Sequence, residues 1–346
     1  MKKSTNRSEE RNMDMAGPTI ATADLHMAAS RRDSYRWRFL EETLPAMVEE
    51  HRARRVLVLG DLTEAKSGHS AELVNRLVDA LAALAERAPV YLLRGNHDFV
   101  SEDSPFFRFS RHLPRVCWIN EPTRLRLRGL GKCLFLPWAR DLDDCADFSF
   151  ESFDWFFCHQ TFEGADLGAR RAEGCEPPFS RSARVVSGDV HVPQKIGPVT
   201  YTGAPYTVDF GDAYEPRVLL LEGSEMRSVP VPGPQKRLIT TTARDLKLRA
   251  DLFDVAPGDV IKIRVTLPAG SDASRAEVRA LARRWAEAAG VDLYAVEIVA
   301  PRAAPSRGDR DRSRASDADL VRAYAKRMKA GKTCEAAGLK IVEEVG

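Results

Sequence analysis

Residues 56–61 read Val-Leu-Val-Leu-Gly-Asp, an apolar run that ends in a glycine and a carboxylate. An unbroken apolar run of this length is typical of a buried parallel strand. Gly60 permits a tight turn at the end of that strand. Asp61 then lies at the carboxyl end of the strand, where its carboxylate can bridge two metal ions.

Four other segments place oxygen or imidazole nitrogen directly after a predicted strand. Such a mixed set of aspartate, asparagine and histidine favours a pair of transition metals over calcium or a structural zinc. The alternative is that these are ordinary polar residues at loop ends, but four of the seven histidines fall in the segments. We therefore predict a two-metal site for phosphate-ester hydrolysis. The segments are Asp24-Leu25-His26, Gly95-Asn96-His97-Asp98, His159 and Gly188-Asp189-Val190-His191.

The Asp-x-His spacing occurs twice among these segments. Asp24 and His26 are two residues apart, and Asp189 and His191 repeat the spacing. On an extended strand, residues two apart face the same way. The spacing therefore predicts that each pair reaches one ion from the end of its strand.

Composition limits the function classes and the cellular compartment. A chain of 346 residues fits one large domain and a smaller one, and its net charge of +2 requires any DNA-binding surface to be local. The scattered cysteines indicate a reduced, cytoplasmic protein. Residues 1–17 are polar, which predicts a disordered tail rather than a signal peptide, and no run approaches the about 20 apolar residues of a membrane span.

The first third of the chain alternates predicted strands with predicted helices. Strands are expected at 20–23, 56–59 and 90–93, with a helix capped by Ser70 before the third. The helix before the second strand contains Pro45, which predicts a kink or an early break. This β-α-β-α-β order predicts parallel strands with helical crossovers.

Beyond about residue 115 the pattern changes to strands and turns, with a loop at 163–183 that borders the site. We therefore predict an α/β (α+β) fold for residues 18–232, a sandwich of two sheets flanked by helices with metals at the strand ends. Residues 233–300 are expected to form a small β-α-β cap. A flexible linker at 301–316 then leads to a helical tail at 317–346.

The order of the polar segments resembles that of the calcineurin-like metallophosphoesterases, with their D-x-H, G-D, G-N-H-D, H and G-x-x-H motifs. The likeness covers about residues 18–205. After the last motif, residues 191–194, 201–206 and 210–212 are similar to segments of the SbcD nuclease family. This resemblance implies an exonuclease or endonuclease that acts on DNA ends and single strands with an SbcC-type coiled-coil ATPase in DNA repair, as in compact phage members.

The resemblance also implies a ligand set and a mechanism. Two divalent ions, Mn²⁺ above all with Mg²⁺, Fe²⁺ or Zn²⁺ as alternatives, would lie about 3.5–4 Å apart and hold a bridging hydroxide. His97 would donate a proton to the leaving oxygen or stabilise the transition-state charge, and Asp98 would either orient His97 or serve the turn. The implied ligands are Asp24, His26, Asp61 and His191 for one ion, and Asp61, Asn96, His159 and Asp189 for the other.

Two positions depart from the SbcD pattern. Asp189 stands where the family usually has histidine, and its charge should favour harder metals such as manganese or magnesium. Thr63 and Glu64 stand where the family usually has Phe-His, which leaves the balance between exonuclease and endonuclease open. His69 is either a substitute for that histidine or a solvated loop residue.

Local basic residues should contact the DNA phosphates. The tail helix either docks on an SbcC-type ATPase or packs on its own domain, and a homodimer is left open. Two other functions compete: a small-molecule or cyclic-nucleotide phosphodiesterase or phosphatase of the same fold, and a scaffold protein with an inactive metal site. The candidate DNA contacts are Arg31, Arg32, Arg108, Arg111 and Arg181, and the candidate docking residues are Leu320, Val321, Tyr324 and Met328.

Overall fold

The computed structural model describes most of the chain between residues 16 and 342. Residues 1–15 of the predicted tail and 301–315 of the predicted linker lie outside the described residues. The described ranges are 16–30, 33–98, 106–140, 153–168, 170–179, 183–212, 214–248, 253–267, 274–299, 316–328, 336–337 and 339–342.

The first sheet has six strands in the order β12-β11-β1-β2-β3-β4. Its four strands from β1 to β4 are parallel, as the β-α-β-α-β pattern predicts, and β11 and β12 extend it in antiparallel fashion beside β1. The strands are β1 (Thr19–Thr22), β2 (Arg55–Leu59), β3 (Val90–Leu93), β4 (Val116–Ile119), β11 (Arg217–Glu222) and β12 (Glu225–Pro230).

The second sheet has six strands in the order β5-β6-β7-β8-β10-β9. Strands β6, β7, β8 and β10 are parallel, and the two edge strands are antiparallel to their neighbours. The strands are β5 (Thr123–Leu127), β6 (Gly131–Leu136), β7 (Trp155–His159), β8 (Val185–Gly188), β9 (Gln194–Ile196) and β10 (Val199–Tyr201).

The two sheets pack face to face around a buried apolar layer. Leu57 and Leu59 of β2 belong to this layer together with Phe135 and Phe157 of the second sheet. The alternate residues of β2, including Val56, face the opposite way and pack with the helices. This period of two, with both faces buried, confirms the predicted two-sheet sandwich with helices outside.

The helices cover the outer face of the first sheet. Ser70 caps α3 by accepting a hydrogen bond from Leu73 N at 3.2 Å, as predicted. Of the predicted kink or early break at Pro45, the early break is wrong, because helix continues through the proline. The helix widens into a π-helical turn just before it, at Phe39–Thr43. The wider turn accommodates a residue that cannot donate a backbone hydrogen bond. The helices are α1 (Ser34–Arg38), α2 (Leu44–Glu50) and α3 (Ala71–Arg87), and a 3₁₀ helix spans Phe106–His112.

A third sheet of three parallel strands follows, in the order β13-β14-β15. The prediction missed the first strand of this cap, because the unit is β-α-β-α-β rather than the predicted β-α-β. Gln235 and Lys236 join the start of this unit to the sandwich, since Thr207 N donates to Gln235 Oε1 at 2.9 Å and Lys236 N to Thr207 Oγ1 at 2.6 Å. Its elements are β13 (Lys236–Thr242), α4 (Ala243–Leu248), β14 (Val260–Thr266), α5 (Arg275–Ala289) and β15 (Asp292–Val299).

The tail contains α6 (Asp317–Met328), where a helix is predicted. Leu320 is 45% exposed and Tyr324 is 58% exposed, whereas Ala325 is buried. Val321 is half-buried, and the side chain of Met328 lies outside the described residues. Within the described ranges, we find no helix whose length and apolar character would let it cross a membrane.

Candidate metal centre

Four of the seven candidate ligands have left-handed backbone conformations just past the ends of their strands. The φ angles are +57° at Asp24, +42° at His26, +53° at Asp61 and +75° at Asp189. The expectation that each Asp-x-His pair sits on extended backbone is therefore wrong. Aspartate and histidine tolerate this region better than most residues, and such strain clusters at functional sites.

Backbone hydrogen bonds fix this conformation by continuing the pairing of β1 with β2 past the ends of both strands. Asp24 N donates to Gly60 O at 3.0 Å, and His26 N donates to Asp61 O at 2.9 Å. Met27 N donates to Leu62 O at 2.9 Å. The two loops therefore hold Asp24, His26 and Asp61 side by side on rigid backbone.

Three motif glycines leave room for the candidate ligands. A Cβ on Gly60 would overlap the His159 ring, and a Cβ on Gly95 would overlap Asp61. A Cβ on Gly188 would meet both the Leu59 carbonyl and the His159 ring. The roles of Gly95 and Gly188 were not predicted, although their place directly beside ligand motifs was a usable signal.

Asp24, His26 and His191 form one group of possible ligands, with one donor atom of each within 4.8 Å of the others. His26 Nε2 lies 3.1 Å from His191 Nε2 and 3.7 Å from Asp61 Oδ2. Asp24 Oδ1 also accepts a hydrogen bond from Asp189 N at 3.2 Å, which ties the two Asp-x-His loops together. These are three of the four ligands that the resemblance implies for the first ion.

Asp61 and His159 form another group together with Asp24, and His26, Asp61 and His97 form a third. His159 Nε2 lies 3.2 Å from Asp61 Oδ1 and 3.6 Å from Asp189 Oδ1. His159 Nδ1 donates to the Leu59 carbonyl at 2.6 Å, which fixes the tautomer and leaves Nε2 for a metal. Asp61 Oδ1 faces His159 and Asp61 Oδ2 faces His26, whereas Asp24 is the residue that the first two of these groups share.

Two buried oxygen atoms at the centre have no hydrogen-bond partner among the described residues. They are Asp24 Oδ2 and Asn96 Oδ1. An unpartnered buried oxygen is costly unless something else satisfies it. Both are hard ligands that suit a divalent cation. The residues present therefore fit two metal ions.

The charges of the cluster also favour cations. Burial, reinforced by the charges of Asp61 and Asp189, raises the pKa of Asp24 well above its usual value. Burial alone would raise the pKa of Asp61, but the charge of His159 and its hydrogen bond outweigh it, so this pKa is lowered. Burial alone would lower the pKa of His159, but Asp61 raises it. Several carboxylates thus share one buried space, where bound cations would stabilise them.

Residues 17–167 match the calcineurin-like phosphoesterase family. This part of the chain is similar to the calcineurin-like phosphoesterases. The matched part contains Asp24, His26, Asp61, Asn96 and His159, and the second Asp-x-His pair follows it in the chain. The cluster described above supplies candidate ligands for metal ions.

One curated protein similar to this chain is UDP-2,3-diacylglucosamine hydrolase from Shewanella pealeana, with 36% identity over 86 residues. This stretch covers 24% of the chain and 34% of the relative, so the chain spans about a third of the relative's length. Solved structures include a nuclease MPE from Pseudomonas putida (17% identity, TM-score 0.29, 63% of this chain and 78% of that chain). Another is a dimetal phosphatase from Danio rerio (11% identity, TM-score 0.35, 63% and 100%).

His97 faces the cluster of candidate ligands, and the Asp98 side chain is not what orients the His97 ring. His97 Nε2 lies 3.9 Å from Asp61 Oδ2, and His97 Nδ1 donates to the Glu64 carbonyl at 2.6 Å. The fully buried Asp98 carboxylate instead accepts from Leu62 N and Gly95 N, both at 2.9 Å. Of the two roles considered for Asp98, the contacts support the structural one.

The candidate metal centre opens into a cavity of about 540 Å³. His26, Asp61, Asn96, His97, Asp189 and His191 line it. Lys236 of β13 and Tyr294 of β15 line it as well, so the third sheet forms part of its wall. Neither was predicted, because the sequence has no local signal for residues that only the tertiary fold brings to the site.

The two predicted DNA contacts that the structure describes do not line this cavity. Arg108 and Arg111 are exposed on the 3₁₀ helix and are not among the cavity-lining residues. Arg31, Arg32 and Arg181 lie outside the described residues. The cationic side chains that do line the cavity are Arg36 and Lys236.

The idea that His69 replaces the missing family histidine is also wrong. His69 Nε2 lies 2.8 Å from Thr63 Oγ1, and the ring packs edge-on against Phe107. His69 is not among the residues that line the described cavity. Glu64, in contrast, does line it.

Proposed function

We propose that this protein hydrolyses phosphodiester bonds of DNA, as a metal-dependent nuclease of the SbcD type. The observation that carries the proposal is the wall of the cavity opposite the candidate ligands. There Lys236 and Tyr294 face the same space as Asp61 and His97. The Tyr294 ring lies 4.8 Å from that of Phe210.

A cation beside aromatic rings suits a nucleotide strand. Bases stack on exposed aromatic side chains, and basic side chains attract the backbone phosphates. Tyr294 is 39% exposed. Lys236 Nζ is held by the Val208 carbonyl at 2.9 Å and by Asp33 Oδ1 at 3.3 Å. A strand end could therefore place its scissile phosphate against the metal ligands while a base contacts Tyr294.

The ligands divide as the resemblance implies. One ion would be held by Asp24, His26, Asp61 and His191, and the other by Asp61, Asn96, His159 and Asp189. Two divalent ions, for which Mn²⁺ is the first candidate, supply charge neutralisation of the phosphate and an activated water. His97 presents Nε2 to the cavity because Nδ1 is engaged by the Glu64 carbonyl. Protonated at Nε2, His97 would donate a proton to the departing sugar oxygen.

The test is hydrolysis of end-labelled linear duplex and single-stranded DNA with Mn²⁺, beside bis(p-nitrophenyl) phosphate as a generic diester. The Asp61→Ala variant, which removes the central carboxylate, is the control for contaminating nuclease. Loss of label from DNA in the wild type alone supports the proposal. Hydrolysis of the small diester or of cyclic nucleotides without any action on DNA would favour the small-molecule phosphodiesterase instead.

We also propose that α6 docks on an SbcC-type coiled-coil ATPase. The exposed apolar side chains of Leu320 and Tyr324 support this, because solvent-facing apolar residues on one helix suit a partner helix. Binding of such a coiled coil to the full chain, with Leu320→Arg as the comparison, tests it. Equal binding by both proteins would contradict the proposal, and light scattering would show whether a homodimer forms instead.

A further inference from the structure

Glu64 stands opposite the His26 loop on a fixed backbone. Met27 and Thr63 form a parallel β-bridge, and Glu64 N donates to the Met27 carbonyl at 3.1 Å. These contacts extend the β1–β2 pairing by one more step beyond Asp61. The position of Glu64 relative to His26 is therefore set by backbone pairing.

The backbone carbonyl of Glu64 fixes one imidazole of the site. It accepts a hydrogen bond from His97 Nδ1 at 2.6 Å. A carbonyl can only accept, so the proton of neutral His97 resides on Nδ1. His97 Nε2 is thereby directed toward Asp61 and the cavity.

The side chain of Glu64 approaches a second imidazole. His26 directs Nε2 toward His191 and Asp61, whereas His26 Nδ1 is buried and has no hydrogen-bond partner among the described residues. Glu64 Oε2 lies 3.7 Å from this nitrogen. A metal-bound histidine usually donates its other ring N–H to a carboxylate or a carbonyl.

Arg36 holds this carboxylate in place. The buried Arg36 guanidinium donates to Glu64 Oε2 at 2.9 Å and also to the His26 carbonyl. One guanidinium thus contacts both the backbone of the candidate ligand and the carboxylate beside its ring. This contact limits the motion of Glu64, which is otherwise half-exposed.

We propose that Glu64 is a positioning residue for both imidazoles. Its carboxylate, anchored by Arg36, accepts the Nδ1–H of His26 when Nε2 binds a metal, and its carbonyl orients His97. The inference rests on the two-metal hydrolase proposed above and does not depend on DNA being the substrate. It assigns a role to the position at which the chain departs from the SbcD pattern.

The experiment is calorimetric titration of Mn²⁺ into the metal-free full chain, comparing wild type, Glu64→Gln and Glu86→Gln. Glu86 is an exposed glutamate on α3 that does not line the cavity, so it is the matched control. Glu64→Gln keeps side-chain volume and an oxygen for Arg36 but removes the charge. Loss of such a partner should weaken one of the two ions about 10- to 100-fold, while Glu86→Gln should bind as wild type.

A second readout separates positioning from folding. In the Zn²⁺-loaded protein, nitrogen-15 NMR should show a slowly exchanging Nδ1–H on His26 that is lost in Glu64→Gln. His97 should keep its Nδ1–H, because a backbone carbonyl holds it. If Glu64 served only to neutralise Arg36, the variant would unfold at a lower temperature with unchanged Mn²⁺ affinity.

The outcomes distinguish this inference from the proposed function. Unchanged affinity for both ions in Glu64→Gln, with the His26 signal retained, would overturn the positioning role alone. A wild-type protein that binds no divalent ion would overturn the two-metal hydrolase and this inference together. Two bound ions with a weakened site in Glu64→Gln support the inference even if the protein leaves DNA intact.

Discussion

Replacing Gly60 with alanine should disturb the metal centre through His159. Gly60 has a φ angle of +94°, and its new methyl group would overlap the fully buried His159 ring. The left-handed backbone costs about 1–2 kcal/mol for an alanine. Moving the ring breaks the hydrogen bond from His159 Nδ1 to Leu59 O, and an unsatisfied buried donor costs about 1–3 kcal/mol. We therefore expect a total loss of about 2–5 kcal/mol.

The chain provides a matched control for the backbone part of this loss. Gly68 has a φ angle of +79°, but a Cβ there would meet nothing within 4 Å. Gly68→Ala should therefore lose only the about 1–2 kcal/mol of the backbone strain. Urea unfolding of the metal-free proteins measures the difference, and Mn²⁺ titration should show weaker binding in Gly60→Ala alone.

Equal losses of unfolding free energy in Gly60→Ala and Gly68→Ala, with wild-type Mn²⁺ affinity in both, would mean that His159 does not depend on the space left by Gly60.

Three further predictions concern the same centre. His97→Ala should retain Mn²⁺ affinity and lose about 10²–10⁴-fold in kcat on a diester, so a near-normal rate at saturating Mn²⁺ would contradict its role as the acid. Burial, with the charge of Asp61, raises the pKa of Asp98 from 3.8 to about 6. Native metal-free protein should therefore bind the extra proton between about pH 4 and 6, and its unfolding free energy should fall as the pH rises through this window; Asp98→Asn should lack that fall in urea titrations. Mn²⁺ at 100 times its Kd should raise the unfolding free energy by about 2.7 kcal/mol, and chelation should reverse the gain; no shift on a thermal melt would argue against a metal site.

Elements whose start and buried face are set by residues close together in the sequence could be predicted from the sequence. The Ser70 cap and the apolar stripe of α3 lie within a few residues of each other, and both were found. β13 was missed because Lys236–Thr242 has no apolar run, and Thr241 is its one buried residue. This segment forms a strand because it pairs with β14, and no local sequence pattern predicts that pairing.

For the candidate site too, the sequence predicted the local features but not those that depend on tertiary contacts. The ligand types and their order along the chain are visible in the sequence, and the structure brings Asp24, His26, Asp61, His159 and His191 into ligand groups. The left-handed backbone was not predictable, because pairing between two loops imposes it. Lys236 was not predictable either, since a separate sheet carries it to the cavity.

The candidate ligands come from both sheets of the sandwich. Asp24, Asp61 and Asn96 follow strands of the first sheet, whereas His159 and Asp189 follow strands of the second. A bound ion would therefore act as a cross-link between two layers that otherwise adhere through apolar packing. The affinity for metal should therefore depend on the distance between the two sheets. The Phe135 ring stacks on that of Phe157 at 4.8 Å in the apolar layer between the sheets. Replacing Phe135 with a smaller apolar residue should therefore alter metal binding although no ligand is substituted.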